Sequence, residues 1–254
     1  GDVYKRQRTL LLSEEAGGVG ADMMTACIVF EELAAGDVDV AVALSETALI
    51  GSLLFDRWMG KYQRENFLQR FIEENNFHLS YAGPMQVVSN GWSYYGEINR
   101  DPKVGLTELK KDQNWVIDGS VSNVSNAPVA ELLIIMAETI YEGNDSNGAS
   151  AFIIPRNTPG LKIVEFGGNN QSSEIGWRHG CNANIEFDSC KIPLDYALDG
   201  EAKKPILDKT YEKFTALLSA SINLGLGRAA FDTAVDYAKI RRQGGRNIVE
   251  HQAI

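Results

Sequence analysis

The chain has 254 residues, 44% of them hydrophobic and 23% charged, with a formal net charge of −10. That composition is ordinary for a globular protein, and the acidic balance argues against general nucleic-acid binding. Three cysteines (Cys27, Cys181, Cys190) without CxxC spacing and three scattered histidines (His78, His179, His251) give no metal-ligand pattern and fit free thiols in a cytoplasmic or other reducing intracellular compartment.

Residues 1–7, which include Asp2-Val-Tyr-Lys-Arg-Gln7, read as a processing scar, similar to the translation of a transposon mosaic-end oligonucleotide; the fold is read from residue 8. Ser13 to Gly20 is Gly-rich, yet it lacks GxGxxG and no Gly-Lys-Ser/Thr follows. It therefore reads as a loop between helices rather than a phosphate cradle. Asp22 is placed to cap a helix running through Ile28 to Ala34, on which Glu31 and Glu32 are surface charges. A second helix, Val38 to Phe55, is rich in Ala, Leu and Val and reads as buried. A third covers about Glu65 to Glu74. No uninterrupted apolar run reaches the roughly eighteen residues of a membrane span.

From Leu79 the pattern changes to strands. Tyr94 to Lys111 is polar and reads as a loop excursion, and Trp115-Val-Ile-Asp-Gly119 is a strand entering an Asp-Gly hairpin turn. Asn123-Val-Ser-Asn126 and an apolar run from Glu131 to Thr139 follow. Ser150 to Ile163 is a buried strand, a Pro/Gly turn and a further strand. Ala183 to Pro193 alternates apolar and polar residues as a half-buried strand does. After a charged connector, Asp199 to Lys209, a helix with small residues at Gly225, Gly227, Ala229 and Ala230 would let another backbone approach closely. It breaks at the cations around Gln243, Gly244 and Gly245. A last helix carrying His251 is expected to run to Ile254 without a stop signal, so the chain reads as a fragment.

The ordered set Trp-Val-Ile-Asp-Gly, Val-Ser-Asn, Ser-Ala-Phe-Ile-Ile-Pro, Gly-Trp-Arg, Phe-x-x-Cys-x-Ile-Pro and Tyr-Ala-x-x-Arg-x-Gln-x-Gly resembles the acyl-CoA dehydrogenase family over residues 8 to 254. The resemblance implies an α+β multi-domain fold. It comprises an incomplete N-terminal helical domain (8–78), a central β-barrel-like domain (79–198) and the start of a C-terminal four-helix bundle (199–254).

It also implies an FAD flavoprotein oxidoreductase of acyl-CoA metabolism that dehydrogenates an acyl-CoA thioester across its α,β bond. Cofactor contacts would come from Ser125 and Asn126, and from Arg241 and Gln243 lent to a neighbouring subunit's FAD. Tetramers are usual in the family, which points to a homo- or hetero-oligomer, with an electron-transferring flavoprotein as acceptor. Several positions depart from the family pattern: Ala82 and Gly83 stand for Thr and Glu, Ser89 loosely replaces a serine, Asn123 an aromatic and Ala216 an arginine. Thr215 stands where some members carry their catalytic glutamate, so no catalytic residue is assigned here and the base is expected beyond Ile254. The alternative is a catalytically silent subunit completing a partner's FAD site.

Overall fold

The computed structural model describes residues 6–82, 107–111, 114–141, 144–165, 182–198 and 209–251. Its described elements are three helices, a run of seven strands, a fourth and much longer helix, and a small hairpin.

α1 (Met23–Gly36) starts where the Asp22 side chain accepts from the Thr25 amide at 2.7 Å, satisfying an otherwise orphaned donor. Asp37 then does the same for α2 (Val38–Leu53), accepting from the Asp39 and Val40 amides at 3.0 and 3.1 Å. α2 runs on into a π-helical turn, Leu54–Trp58. Together these 21 residues contain an 18-residue window with a mean hydropathy of 1.7 and would pass for a membrane span by length and composition. Asp39, Glu46 and Thr47 interrupt the stretch, and most of it is buried inside the protein, as in a core helix. α3 (Lys61–Glu73) begins at Gly60, whose amide donates to the Gln63 side chain at 2.9 Å. The Gln63 amide group reaches on to the Asp195 and Ala197 carbonyls at 2.8 and 2.7 Å, fastening α3 to the chain beyond the last long strand.

The strands are β1 (His78–Ala82), β2 (Thr107–Lys111), β3 (Asn114–Ser125), β4 (Ala130–Tyr141), β5 (Asn144–Pro155), β6 (Leu161–Glu165) and β7 (Asn182–Pro193). They form one sheet in the order β1-β4-β2-β3-β7-β6, with β5 also paired to β4. The polar stretch read as a loop excursion therefore contains a strand, β2, antiparallel to β3. Asp118-Gly119 is not a turn either. β3 runs straight through it, and Gly119 takes a φ of +123° where the pairing with β7 shifts register. The dipeptide makes a bulge, the other use of a glycine inside a strand.

From Leu132 to Ala137 β4 is apolar without a break because both of its faces are covered there. Leu132, Ile134 and Met136 join the core that the helices share, while Leu133, Ile135 and Ala137 join a second core under β3 and β7.

α4 (Lys209–Ile240) spans 32 residues and lies against α1 and α2. Gly225 makes the close approach possible, since a Cβ there would sit 2.1 Å from the Glu31 carbonyl oxygen. Arg228 bridges α1 and α4, 3.2 Å from Glu31 and 2.6 Å from Glu32, an exposed contact that solvent screens. Gly225→Val should force α1 and α4 apart and lower stability by about 1–3 kcal/mol, measured by chemical denaturation. An unchanged midpoint would mean that the two helices do not pack as described.

Among the described residues the chain after α4 holds no further α-helix. Arg242–Gln243 (β8) and Arg246–Asn247 (β9) pair as a hairpin whose Gly244 and Gly245 have φ of +61° and +85°. His251 follows a 3-10 turn, Ile248–Glu250, rather than riding on a last helix. Two consecutive glycines at positive φ reverse the chain between these strands.

Candidate functional site

A cavity of about 620 Å³ opens between α2 and α4, with Ser125 from the end of β3 in its wall. Val42 and Leu49 from α2 face Leu218 and Ile222 from α4 across it. The polar lining includes Glu46, Ser125, Tyr211 and Thr215. Glu46 sits in the middle of α2, partly accessible through the cavity but crowded by protein, and that burial pushes its carboxyl up to about 7. A hydrogen bond with the Ser125 side chain works against the rise.

Tyr211 is held behind this carboxyl by Tyr81 of β1, ring centroids 4.6 Å apart, and Tyr81 packs in turn on Trp58 at 6.2 Å. Burial raises the Tyr211 phenol well above its ordinary range, and the carboxyl of Glu46 adds to this. The Thr215 hydroxyl beside it pulls the other way. At neutral pH Tyr211 is therefore a neutral donor in the cavity wall.

Glu46 was not among the residues expected from the sequence. The signal was there: a lone carboxylate amid Val-Ala-Leu-Ser-Glu-Thr-Ala-Leu-Ile, on a helix otherwise suited to a core. Such a group is seldom buried without a partner or a use.

Ser125 and Asn126 lie together at this end of β3, but they face different tasks. Asn126 is almost wholly buried and shares its two amide hydrogens among the Ala43 carbonyl at 2.9 Å, the Leu79 carbonyl at 3.2 Å and the Thr47 hydroxyl at 3.3 Å. It ties α2 to β1 from the turn between β3 and β4, and its Oδ1 is buried without a partner among the described residues. Its φ is +60°, a conformation asparagine tolerates better than most residues. Asn123, standing where the family has an aromatic residue, is exposed, has a φ of +57° and donates its amide to the Asn184 side chain at 3.1 Å. The strand's backbone geometry accounts for it.

Thr47 also meets His78 Nδ1 at 3.2 Å. Burial, with help from the charge of Arg8, lowers the His78 pKa from 6.5 to about 4. The folded state thus favours the neutral ring, and between those two values only the unfolded chain takes up the proton. The stability this contributes is complete above pH 6.5 and is lost as pH falls towards 4, by about 2–3 kcal/mol. Glu46 acts in the opposite sense: its raised pKa removes stability as pH rises from 4.5 to about 7. Thermal melts of the protein and of His78→Asn at pH 7 and pH 5 separate the two effects, and the variant should lose less on acidification. Equal losses would mean that His78 does not titrate on unfolding.

Arg241 and Gln243 are not brought to the cavity. Both are exposed at the hairpin beyond α4, where the Gln243 carbonyl meets the His251 ring at 3.1 Å and Arg242 donates to the Gly245 carbonyl at 2.8 Å. Thr215 and Arg241 are 26 positions apart, almost all of it helix. At 1.5 Å per residue that is about 40 Å, so one small ligand cannot touch both within one chain. Of the family departures, Ala82 is buried in the second core, and Ala216 is exposed on α4. Gly83 and Ser89, together with Cys181, His179 and the Gly176-Trp-Arg motif, lie outside the described residues. Among the described residues no cluster of His, Cys, Asp and Glu could hold a metal ion.

Comparison with known proteins agrees with this architecture. The N-terminal domain of acyl-CoA dehydrogenases matches residues 9–75. Over 246 residues the chain is 27% identical to the human short-chain specific acyl-CoA dehydrogenase of mitochondria, covering 95% of this chain and 55% of that protein. It is 28% identical to isovaleryl-CoA dehydrogenase from Oryza sativa subsp. japonica, over 96% of this chain and 56% of that protein. The fold superposes on butyryl-CoA dehydrogenase from Megasphaera elsdenii with a TM-score of 0.77 at 22% identity, covering 99% of this chain and 63% of that one. A helical domain, a β-sheet domain and one long helix in this order define an acyl-CoA dehydrogenase-like protein. The chain is thus similar in sequence and in fold to acyl-CoA dehydrogenases over nearly its whole length, with the family's N-terminal domain matched at residues 9–75. It spans just over half the length of the curated relatives it matches.

Proposed function

We propose that this chain is part of an FAD-dependent oxidoreductase that dehydrogenates an acyl-CoA thioester between its α and β carbons. The observation that carries the reading is the cavity between α2 and α4, largely apolar on both long walls and reaching Ser125 at the end of β3. An orphaned buried acceptor, Asn126 Oδ1, and a cavity-lining hydroxyl, Ser125, fit the polar edge of a flavin. FAD, when bound, supplies the hydride acceptor. The chain's own residues bind and orient. Leu49, Leu218 and Ile222 exclude water from the acyl group, and Tyr211 offers a neutral hydroxyl. Thr215 presents a hydroxyl and cannot itself take up the α-proton. An electron-transferring flavoprotein is the proposed acceptor, and a reducing compartment, matching the free thiols of Cys27 and Cys190, the proposed location.

A second reading has its own support. Arg241 and Gln243 sit exposed about 40 Å along the helix from the cavity, where they would serve a neighbouring subunit's FAD. A subunit with altered contacts at its own cavity would then complete a partner's site in a hetero-oligomer. The visible spectrum of the purified protein, expressed alone from its complete reading frame, separates the two. Oxidised flavin that bleaches anaerobically with an acyl-CoA supports the dehydrogenase. A colourless protein that yields a yellow complex only with a second dehydrogenase subunit supports the silent partner.

A further inference from the structure

The described lining of the cavity holds a carboxylate and no cation to match it. Among the described residues no Lys, Arg or His lines it, and none of the described ion pairs involves Glu46. The polar groups around Glu46 come from three elements: the Ser125 hydroxyl from β3, the Tyr211 phenol and Thr215 hydroxyl from α4, and, behind Tyr211, the Tyr81 phenol from β1. All are uncharged at neutral pH. On the long walls Ser45 of α2 and Ser219 and Asn223 of α4 add uncharged polar groups to an otherwise hydrocarbon lining. A buried carboxylate in such a setting is costly unless it keeps its proton or a cation pairs with it, and a cationic ligand would supply that pair.

A plain hydrocarbon chain entering this cavity would gain from Val42, Leu49, Leu218 and Ile222, yet it would also strip the remaining water from Glu46. The carboxyl would then have to keep a proton for binding to be favourable. An ammonium on the acyl chain reverses the balance, because it brings the countercharge and makes ionisation of Glu46 favourable in a poorly screened site. A volume of about 620 Å³ leaves room for a short substituted chain beside the thioester.

Resting on the reading above that the cavity takes an acyl thioester, we propose that Glu46 is its specificity determinant. It selects an acyl group that carries an ammonium over a hydrocarbon chain of the same length. The raised carboxyl pKa of about 7 belongs to the empty, unpaired state, and a cationic ligand lowers it. Affinity for the cation therefore rises with pH as Glu46 ionises, while affinity for the hydrocarbon falls.

The test uses two redox-inert thioethers of matched length, S-(3-aminopropyl)-CoA and S-butyl-CoA, titrated calorimetrically into the purified protein at pH 6 and pH 8. The amine should bind about tenfold more tightly at pH 8, the lower range of a close charge pair. That advantage should shrink at pH 6 and disappear in Glu46→Gln. Equal affinities at both pH values, or a preference that survives the substitution, would overturn the proposal and leave the acyl-CoA reading standing. If neither thioether binds, the acyl-CoA reading falls and this inference with it. Should Glu46→Gln fail to fold, the pH series on the unaltered protein decides the matter: an advantage for the amine that does not grow from pH 6 to pH 8 excludes Glu46.

Discussion

Phe71→Ala will cost the protein about 3–5 kcal/mol of stability, enough to unfold a marginal domain at ordinary temperature. Phe71 is fully buried in α3, stacked on Phe55 with centroids 4.9 Å apart and set edge-on to Phe77 at 6.0 Å. The Arg8 guanidinium lies 5.1 Å from its ring centroid and donates to the carbonyls of Phe71 and Phe77 at 2.7 and 2.9 Å. Truncation therefore opens a void and also removes the aromatic face under a buried cation, whose pKa burial already depresses to about 10. Gly51 depends on the same ring, because a Cβ there would come within 2.7 Å of it. Urea denaturation of Phe71→Ala and Phe71→Leu measures both parts, with leucine expected to recover a good share of the volume term. A loss below 1 kcal/mol for alanine would show that the α3 packing is loose.

Asn126 carries the second large effect. Asn126→Ala removes two amide hydrogens that serve three acceptors and places a Cβ residue without a compensating side chain at a φ of +60°. The expected loss is about 2–4 kcal/mol, from unsatisfied buried carbonyls together with backbone strain. Asn126→Gly relieves the strain and keeps the hydrogen-bond loss, so it should fall between the two. If alanine and glycine destabilise equally, the backbone contributes nothing. If neither destabilises, the link from β3 to α2 and β1 is not a structural one, and Asn126 is held for a ligand alone. The flavin spectrum of these variants then reads its role at the cofactor separately from its role in the fold.

The first two helices were legible because their starts are written in short-range chemistry: Asp22 and Asp37 each cap a helix, and the apolar composition after Asp37 marks a core element. The strands from Trp115 to Pro193 were legible for a different reason, since alternation and apolar runs report burial directly. What failed was the Asp-Gly turn. The break expected around Gly244-Gly245 is there, a two-residue reversal whose pairing partners lie a few positions apart. Asp118-Gly119 instead makes a bulge inside a long strand, because its partners on β7 lie far along the chain and no local window contains them. β2 was missed for a different reason: its strand character comes from pairing with β3, which follows it directly, rather than from its own polar residues. The site was half legible. Ser125 was found through its motif, whereas Glu46 became a candidate only when α4, more than 150 positions later in the chain, was seen to close the cavity over it.

The strand with two covered faces has a consequence for how the molecule holds together. Successive residues of β4 report to different cores, so sliding that strand by one position would send Leu132, Ile134 and Met136 into the space shaped for Leu133, Ile135 and Ala137, and the reverse. Each core thereby proofreads the other's alignment. The helical part and the sheet part share one strand as a common wall and cannot be prised apart without both losing their interior. Damage anywhere along β4 will register in the two halves at once.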